Sequence, residues 1–158
     1  VDRRQRQMCI RDRPRAVSSY LGRISGPLLD RMDLHIEVPP VDFDSLADTS
    51  RSESSVEIRK RVNAARKAQQ RRFDGTGITC NARITPKMLD EFCPMTDDAR
   101  TTLKSAFERL DMSARTYDRI LKVARTVADI DNSETITAAH IMQAVRFRSL
   151  DRKYWNHG

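Results

Sequence analysis

Residues 113–130 read SARTYDRILKVARTVADI, and this stretch decides the fold class of the 158-residue chain. Its apolar side chains recur three and four residues apart, at Ile120, Val123, Ala124 and Val127. That spacing is typical of one face of an amphipathic helix. Ser113 is a preferred N-cap residue, so the stretch predicts a helix that runs from the cap to Ile130.

A second face of the same helix is cationic. Arg115, Arg119 and Lys122 lie at positions i, i+4 and i+7. Arg115 falls in the first turn, where the helix dipole is already positive and an anion is stabilised. The pattern alone leaves two interpretations open, a solvated charged face and a phosphate-binding face.

Further helices are predicted on both sides of this stretch. One starts at a cap on Ser54 or Ser55, runs through Val56, Ile58, Val62 and Ala65 to about Phe73, and ends at Gly75 and Gly77. Others follow Thr85-Pro86, Thr96 and Thr137, each a capping residue, with Pro94 as a break. The expected architecture is a bundle of about five helices.

The N-terminal part of the chain has a different character. Asp33–Val38 alternates, with Leu34, Ile36 and Val38 on one side and His35 and Glu37 on the other, which predicts a half-buried strand that ends at Pro39-Pro40. Residues 42–54 are rich in Ser, Asp and Thr and are interpreted as a linker. Residues 1–13 show no apolar period and are interpreted as a non-native or disordered tail.

Composition excludes several classes of protein. Five Gly, six Pro and three Cys rule out collagen-like, low-complexity and disulfide-scaffold chains. No apolar run is long enough for a membrane helix, and no signal peptide is recognised. The net charge of +7 suggests nucleic acid, but residues 1–15 contribute +4 of it. Cys9, Cys80 and Cys93 form no CxxC pair, so we expect reduced thiols and no metal site.

The chain carries few residues that could do chemistry by themselves. It contains no GxxxxGK[ST], GxGxxG, HExxH or GxSxG motif, and a structural or solvated role is expected for His35, His140 and His157. Arg31, in GPLLDRMD, has two open interpretations. It forms a local salt bridge with Asp30 or Asp33, or it reaches a phosphate on a neighbouring subunit.

Three separated blocks resemble one family. Residues 20–41 (YLGRISGPLLDRMDLHIEVPPV), 113–130 and 138–155 (AAHIMQAVRFRSLDRKYW) are similar, in this order, to the C-terminal part of magnesium-chelatase-like AAA+ ATPases of the ComM/YifB type. The resemblance covers residues 14–155. It implies a mainly α fold, in which residues 14–41 are the end of an AAA+ α/β core with its last strand, 55–150 a helical lid and 151–158 a C-terminal tail.

The resemblance also assigns roles to single residues. It implies that Arg31 is an arginine finger and Arg115 the sensor 2 residue, both acting in trans on ATP that a neighbouring subunit binds. Arg119 is a weaker candidate for an ATP phosphate contact. No metal ligands are implied, and no cofactor is expected for this part alone, which lacks Walker A and Walker B.

For the full-length protein the resemblance implies ATP and Mg²⁺ as cofactors and a hexameric ring in the cytoplasm. It further implies a DNA-acting motor for branched or single-stranded DNA, linked to branch migration and natural transformation, with no membrane partner. Two alternatives stay open. One is a magnesium-chelatase motor subunit, and the other is a stand-alone helical module that binds nucleic acid through its basic face.

Overall fold

The computed structural model describes residues 28, 31–36, 38, 52–110 and 112–148. These ranges are mostly helical and contain five α-helices and two 3₁₀ turns. The helices are α1 (Ser55–Arg72), α2 (Leu89–Phe92), α3 (Asp97–Arg109), α4 (Ala114–Ile130) and α5 (Ala138–Arg146), and the turns are Asn81–Arg83 and Pro86–Met88. The predicted helical bundle is confirmed.

The start of α1 is fixed by a reciprocal capping box. The amide of Glu57 donates to Ser54 Oγ at 3.3 Å, and the amide of Ser54 donates to Glu57 Oε2 at 3.0 Å. Two backbone donors of the first turn are thereby satisfied. The hydrogen bonds from the backbone and hydroxyl of Ser54 to this carboxylate lower the pKa of Glu57.

Two other helices begin as the sequence predicts. Thr96 Oγ1 accepts from the amide of Ala99 at 3.2 Å at the start of α3, and Ser113 Oγ accepts from the amide of Thr116 at 3.2 Å at the start of α4. Both caps have an extended backbone conformation, as an N-cap requires. The position of the first turn of α4, which carries Arg115, follows directly from Ser113.

The chain leaves α1 through a turn that depends on glycine. Gly75 and Gly77 have φ angles of +74° and +77°, a conformation in which a Cβ atom is strained. Phe73, just before this turn, is buried and packs against Phe92 with the ring centroids 5.2 Å apart. The turn therefore directs the chain back onto the bundle.

The hydrophobic core is centred on α4. This helix contributes Ile120, Leu121, Ala124 and Ala128 to one cluster. The other buried members come from α2, α3 and α5 and from residues outside the α-helices: Phe73, Ile84, Leu89, Phe92, Cys93, Ala99, Leu103, Ile136, Ile141 and Ala144. Burial of this apolar surface is the main stabilising term of the bundle.

The entries into α3 and α5 are joined to each other. Thr96 donates its amide to the carbonyl of Ile136 at 3.0 Å, and Ile136 donates to the carbonyl of Pro94 at 2.8 Å, which forms an isolated parallel bridge between Met95 and Ile136. The two helix starts are therefore held at a fixed separation.

The strand predicted at Asp33–Val38 is wrong for the residues that the structure describes. Residues 33–36 and 38 have irregular backbone, and the amide of His35 donates at 2.6 Å to the carbonyl of Phe147. A strand needs ladder hydrogen bonds to a neighbouring strand. Among the residues that the structure describes, none forms such a hydrogen bond to residues 33–36 or 38. The predicted facing is also reversed, because His35 is buried while Leu34, Ile36 and Val38 are exposed, Val38 to 83%.

Several predictions fall outside the described residues. These are the tail at 1–13, most of the core segment and of the linker, the tail at 151–158, and the residues Cys9, Asp30 and His157. Over the part of the chain that the structure describes, no helix combines the length and apolar character needed to cross a bilayer.

Candidate functional site

A groove of about 660 Å³ follows α4 from its first turn to its end. Its lining combines apolar and charged side chains. The apolar lining includes Leu34, Val123, Val127, Ile130 and Phe147. The charged lining is Asp33, Arg115, Asp118, Arg119, Lys122 and Asp131. The three basic residues that the sequence predicts on one side of α4, Arg115, Arg119 and Lys122, therefore all line one groove.

Arg115 lies at the mouth of this groove, in the first turn of α4. It is exposed, and it follows the Ser113 cap by two residues. Backbone amides at a helix N-terminus and an arginine in the same turn both favour an anion. The location of Arg115 thus suits the contact with phosphate predicted for it.

Arg119, one turn further along α4, is engaged by the segment that carries Arg31. Its Nη1 donates to the carbonyl of Arg31 at 2.6 Å and also pairs with Asp33 Oδ1. The side chain is only 23% exposed. Among the described residues Asp33 pairs with Arg119 and forms no ion pair with Arg31, while the bridge to Asp30 considered from the sequence lies outside them.

Two more hydrogen bonds hold the same segment against the bundle. Arg148 Nη1 donates to the carbonyl of Met32 at 2.6 Å, and the amide of His35 donates to the carbonyl of Phe147. We call residues 31–35, with their contacts to Arg119, Phe147 and Arg148, the latch. The latch joins the Arg31 segment to α4 and to the end of α5.

Arg31 itself is an exposed residue of this segment. Its backbone amide donates to the carbonyl of Leu28 at 3.0 Å and its carbonyl accepts from Arg119, so the main chain is held on both sides. Its side chain forms no hydrogen bond or ion pair with any residue that the structure describes. An arginine with a fixed backbone and an exposed head group can reach a phosphate outside this chain.

The groove by itself is not a phosphate pocket. Its charged lining contains three basic and three acidic residues, and Arg119 is already paired. The chain also has no glycine-rich phosphate loop. The residues present therefore fit one or two arginine contacts to a triphosphate held elsewhere, rather than a complete nucleotide site.

A buried ionic cluster under the groove escaped the sequence analysis. Arg125 is 0% exposed, and its Nε donates to Asp129 Oδ1 at 3.1 Å while its Nη1 donates to the carbonyl of Glu134 at 2.6 Å. Asp129 also accepts from Arg72 Nη1 of α1 at 3.0 Å and from Asn81 Nδ2 at 2.8 Å. Burial lowers the pKa of Arg125, and the neighbouring carboxylate of Asp129 opposes this shift.

This cluster ties α1 to α4. Arg125 and Asp129 directly follow Ala124 and Ala128, which are buried members of the core. The i, i+4 spacing of an arginine and an aspartate beside the apolar stripe was the available signal. This spacing indicates that Arg125 and Asp129 lie on one face of α4. It does not indicate that this face is buried.

The described histidines and cysteines have structural environments. His140 Nδ1 accepts from the amide of Thr137 at 3.0 Å, and its Nε2 lies 3.2 Å from Asp131 Oδ2, so His140 completes the start of α5. Cys93 is buried in the core, and burial raises its pKa to about 11. Within the described ranges, no group of three His, Cys, Asp or Glu residues is placed to hold a metal ion.

A helical bundle with an arginine in the first turn of a groove-lining helix, latched to an upstream arginine segment, is organised like the lid of an AAA+ ATPase. Residues 52–148 match the family described as "Magnesium chelatase, subunit ChlI C-terminal", and residues 2–46 match "Magnesium chelatase, subunit ChlI". The chain belongs to this magnesium-chelatase-like AAA+ family. The second match begins inside the segment 1–13.

Individual relatives agree with this assignment. Competence protein ComM of Haemophilus influenzae is 37% identical over 143 residues, which cover 90% of this chain and 27% of that protein. The uncharacterized protein YifB of Escherichia coli is 39% identical over 140 residues, covering 88% and 27%. YifB of Salmonella typhimurium is 38% identical with the same coverage. The chain thus spans about a quarter of the length of these relatives.

Proposed function

We propose that this chain is the C-terminal part of an AAA+ ATPase and supplies Arg31 and Arg115 to ATP bound by a neighbouring subunit. The observation that carries the proposal is the latch, because Arg119 binds the backbone of the Arg31 segment one helical turn away from Arg115. An exposed arginine and an arginine at a helix start are then parts of one connected surface.

Each arginine has a separate task in this proposal. Arg31 is the finger, whose guanidinium stabilises the charge that develops on the transferred phosphoryl group. Arg115 is the sensor 2 residue, which contacts a phosphate from the first turn of α4. Arg119 holds the Arg31 segment and is a positioning residue, since Asp33 and the carbonyl of Arg31 both accept from its Nη1.

ATP and Mg²⁺ belong to the full-length protein in this account. The metal ion neutralises charge on the β- and γ-phosphates when it is bound. Residues of this chain contribute a cationic contact from outside the nucleotide pocket, consistent with the lack of Walker motifs in the sequence. The assembly is a ring, most simply a hexamer, in which every subunit offers its arginines to the next.

The whole protein is proposed to be a cytoplasmic motor that acts on branched or single-stranded DNA. The relative named competence protein ComM supports a role in natural transformation.

The chain itself is proposed to be divided into three parts. Residues 14–41 are the end of the AAA+ core, 42–54 a linker and 55–150 the lid, consistent with the family match to residues 52–148. The segment 1–13 is proposed to be a non-native or disordered tail. The family match to residues 2–46 runs through most of this segment and argues against a foreign origin, and sequencing of the gene upstream of the Tyr20 codon tests it.

Steady-state kinetics of the full-length protein test the two arginines. Arg31→Ala is expected to lower kcat for ATP by about a thousandfold or more with a smaller change in KM, because a finger acts mainly in the transition state. Arg115→Ala is expected to raise KM as well, since a ground-state phosphate contact is lost. Arg109→Ala removes an exposed arginine at the end of α3 that does not line the groove, and serves as the control. Unchanged kcat in Arg31→Ala overturns the finger assignment.

A magnesium-chelatase motor subunit is the second candidate, because both matched families carry that description. The two candidates differ in what stimulates ATP hydrolysis by the full-length protein. Stimulation by branched DNA supports the DNA motor. Stimulation by chelatase partner subunits and not by DNA supports the alternative.

A further inference from the structure

Basic residues are concentrated in α1. The helix contains seven Lys and Arg residues and one acidic residue, Glu57, a net charge of +6. Outside residues 1–15 and α1, the chain has 16 basic and 19 acidic residues and is slightly acidic. The net charge of residues 16–158 is therefore small only because the acidic residues outside α1 offset the strong positive charge of this helix.

The charge of α1 is further concentrated on one side of the helix. Its bundle-facing side is marked by the buried residues Ala65 and Gln69. The opposite side, which we call the cationic face, carries Arg59, Lys60, Arg66, Lys67 and Arg71 together with Asn63 and Gln70. The periodicity of 3.6 residues per turn places these seven side chains together. All of them are exposed.

The cations of this face have no partner among the described residues, unlike several other basic residues of the bundle. Arg61 pairs with Glu53, Arg72 with Asp129, and Arg119 with an aspartate of the latch. The five basic residues of the cationic face form no hydrogen bond or ion pair with any residue that the structure describes. Side chains that only solubilise a helix are commonly paired at i, i+4 with acids, and α1 offers a single acid.

We propose that the cationic face of α1 binds the sugar–phosphate backbone of double-stranded DNA. The helix has 18 residues and is about 27 Å long, so its cations can follow several successive phosphates. Lys and Arg neutralise phosphates, and the amides of Asn63 and Gln70 can donate hydrogen bonds to phosphate oxygens. The contact does not distinguish DNA base sequences, because it is made only to the sugar–phosphate backbone of the DNA.

The composition of the face selects duplex DNA over two other polyanionic surfaces. Single strands are bound by grooves with aromatic side chains on which bases stack, and α1 contains no aromatic residue. Membrane-surface helices insert a broad apolar face. The exposed apolar residues Ile58 and Val62 lie instead on the side of α1 that continues into Ala65 and Gln69.

This inference rests on the proposed function only for the identity of the partner, and it needs no ATP site. It assigns to the lid a DNA contact separate from the arginines that face the nucleotide. α1 is joined to α4, the helix that carries Arg115, by the pair of Arg72 and Asp129.

Fluorescence anisotropy of a labelled 30-base-pair duplex tests the inference with the complete 158-residue chain. We expect log Kobs to fall with log [KCl] with a slope of about −4.5 if all five cations contact phosphates. Glutamine keeps helix propensity, so the variant R59Q/K60Q/R66Q/K67Q/R71Q is expected to fold, as circular dichroism verifies. Its affinity at 50 mM KCl is expected to fall by at least about tenfold, with a flatter salt slope.

A charge-matched variant separates the cationic face from general basicity. R83Q/K87Q/R100Q/K104Q/R109Q removes the same charge from exposed positions outside α1 and is expected to bind the duplex almost as the unaltered chain does. Equal losses in both variants overturn the assignment of the surface. Preference for a single strand, for anionic vesicles or for heparin over the duplex overturns the assignment of the partner.

The outcomes also separate this inference from the proposed function. A variant of the cationic face that still binds DNA normally contradicts the surface and leaves the DNA motor intact. If the unaltered chain shows no DNA binding at 50 mM KCl, the inference is wrong, while the ATPase tests of Arg31 and Arg115 remain independent of this result.

Discussion

Asp129 is the residue on which the joint between α1 and α4 depends. Its carboxylate accepts from Arg72, Asn81 and Arg125, and both it and Arg125 are fully buried. Loss of one member of a buried ionic cluster leaves the others uncompensated in a medium of low dielectric constant. The cluster therefore makes the relative position of the two helices specific, whatever its net contribution to stability.

Asp129→Asn is expected to lower the free energy of unfolding by about 3–5 kcal/mol, because two guanidinium groups lose their counter-charge. Urea denaturation followed by circular dichroism measures the change. Asp74→Asn, at an exposed position after α1, is the control and is expected to change stability by less than about 0.5 kcal/mol. Similar stabilities for the two variants contradict the role given to the buried cluster.

The two described cysteines are expected to differ in reactivity. Cys93 is buried with its pKa raised to about 11 from 9.0, so its thiolate fraction at pH 8 is about a hundredfold below that of an unperturbed thiol. Cys80 is partly exposed. Peptide mapping after iodoacetamide treatment is expected to show Cys80 alkylated first, with equal labelling in urea. Faster labelling of Cys93 in the native protein contradicts its burial.

The same raised pKa of Cys93 has a consequence for stability against pH. The folded state holds the thiol proton more tightly than the unfolded state, so the contribution of this group is complete below pH 9. It is lost as the pH rises from about 9 toward 11, where the unfolded chain gains stability by ionising. Glu57, whose pKa is lowered, acts at the other end of the scale and stops contributing in acid.

At the scale of elements, the latch is the contact that relates the Arg31 segment to the bundle. It consists of the ion pair of Arg119 with Asp33 and three hydrogen bonds to backbone atoms of residues 31–35. The pair is partly exposed, so its contribution to global stability is expected to stay below about 1 kcal/mol. The main effect of the pair is instead to hold residues 31–35 in a fixed position against the bundle.

Arg119→Gln is expected to release residues 31–35 without unfolding α4. Hydrogen exchange followed by NMR should then show faster exchange of the His35 amide, which donates to Phe147, and unchanged protection along α4. Lys122→Gln removes a charge one turn further along the same groove and is the matched control. Unchanged exchange at His35 in Arg119→Gln means that the latch does not depend on Arg119.

The elements differ in how well the sequence predicts them. The difference depends on whether the residues that determine an element are close together in the sequence. Ser54, Thr96 and Ser113 start their helices through hydrogen bonds to residues three positions away, so the signal lies within a few residues. The alternation at Asp33–Val38 predicts a two-sided segment but not what covers each side. In the structure the end of α5 holds this segment, and its apolar side is left exposed.

The same limit applies to the candidate site. The cationic spacing of Arg115, Arg119 and Lys122 predicted that these residues share a face, and they do line one groove. The pairing of Arg119 with a residue 86 positions earlier has no local signal. The burial of Arg125 likewise depends on the carbonyls of Ser133 and Glu134, which come close only because the chain turns after α4.

At the scale of the whole molecule, charge is divided among surfaces for which we propose different tasks. The cationic face of α1 and the groove of α4 lie on helices joined through Arg72 and Asp129. Arg31 is an exposed residue of the latch, and its backbone is held there. The proposed contact with an ATP site on another subunit requires that Arg31 and Arg115 both be exposed, and both are.

Mixing of subunits tests this central claim most directly. Full-length protein with Arg31→Ala keeps its own nucleotide pocket, and full-length protein with an altered phosphate-loop lysine keeps Arg31. Each is expected to be nearly inactive alone, and mixed rings are expected to regain ATPase activity, because intact fingers then face intact pockets. Full ATPase activity of Arg31→Ala alone, or no recovery in the mixed rings, contradicts an arginine finger acting between subunits.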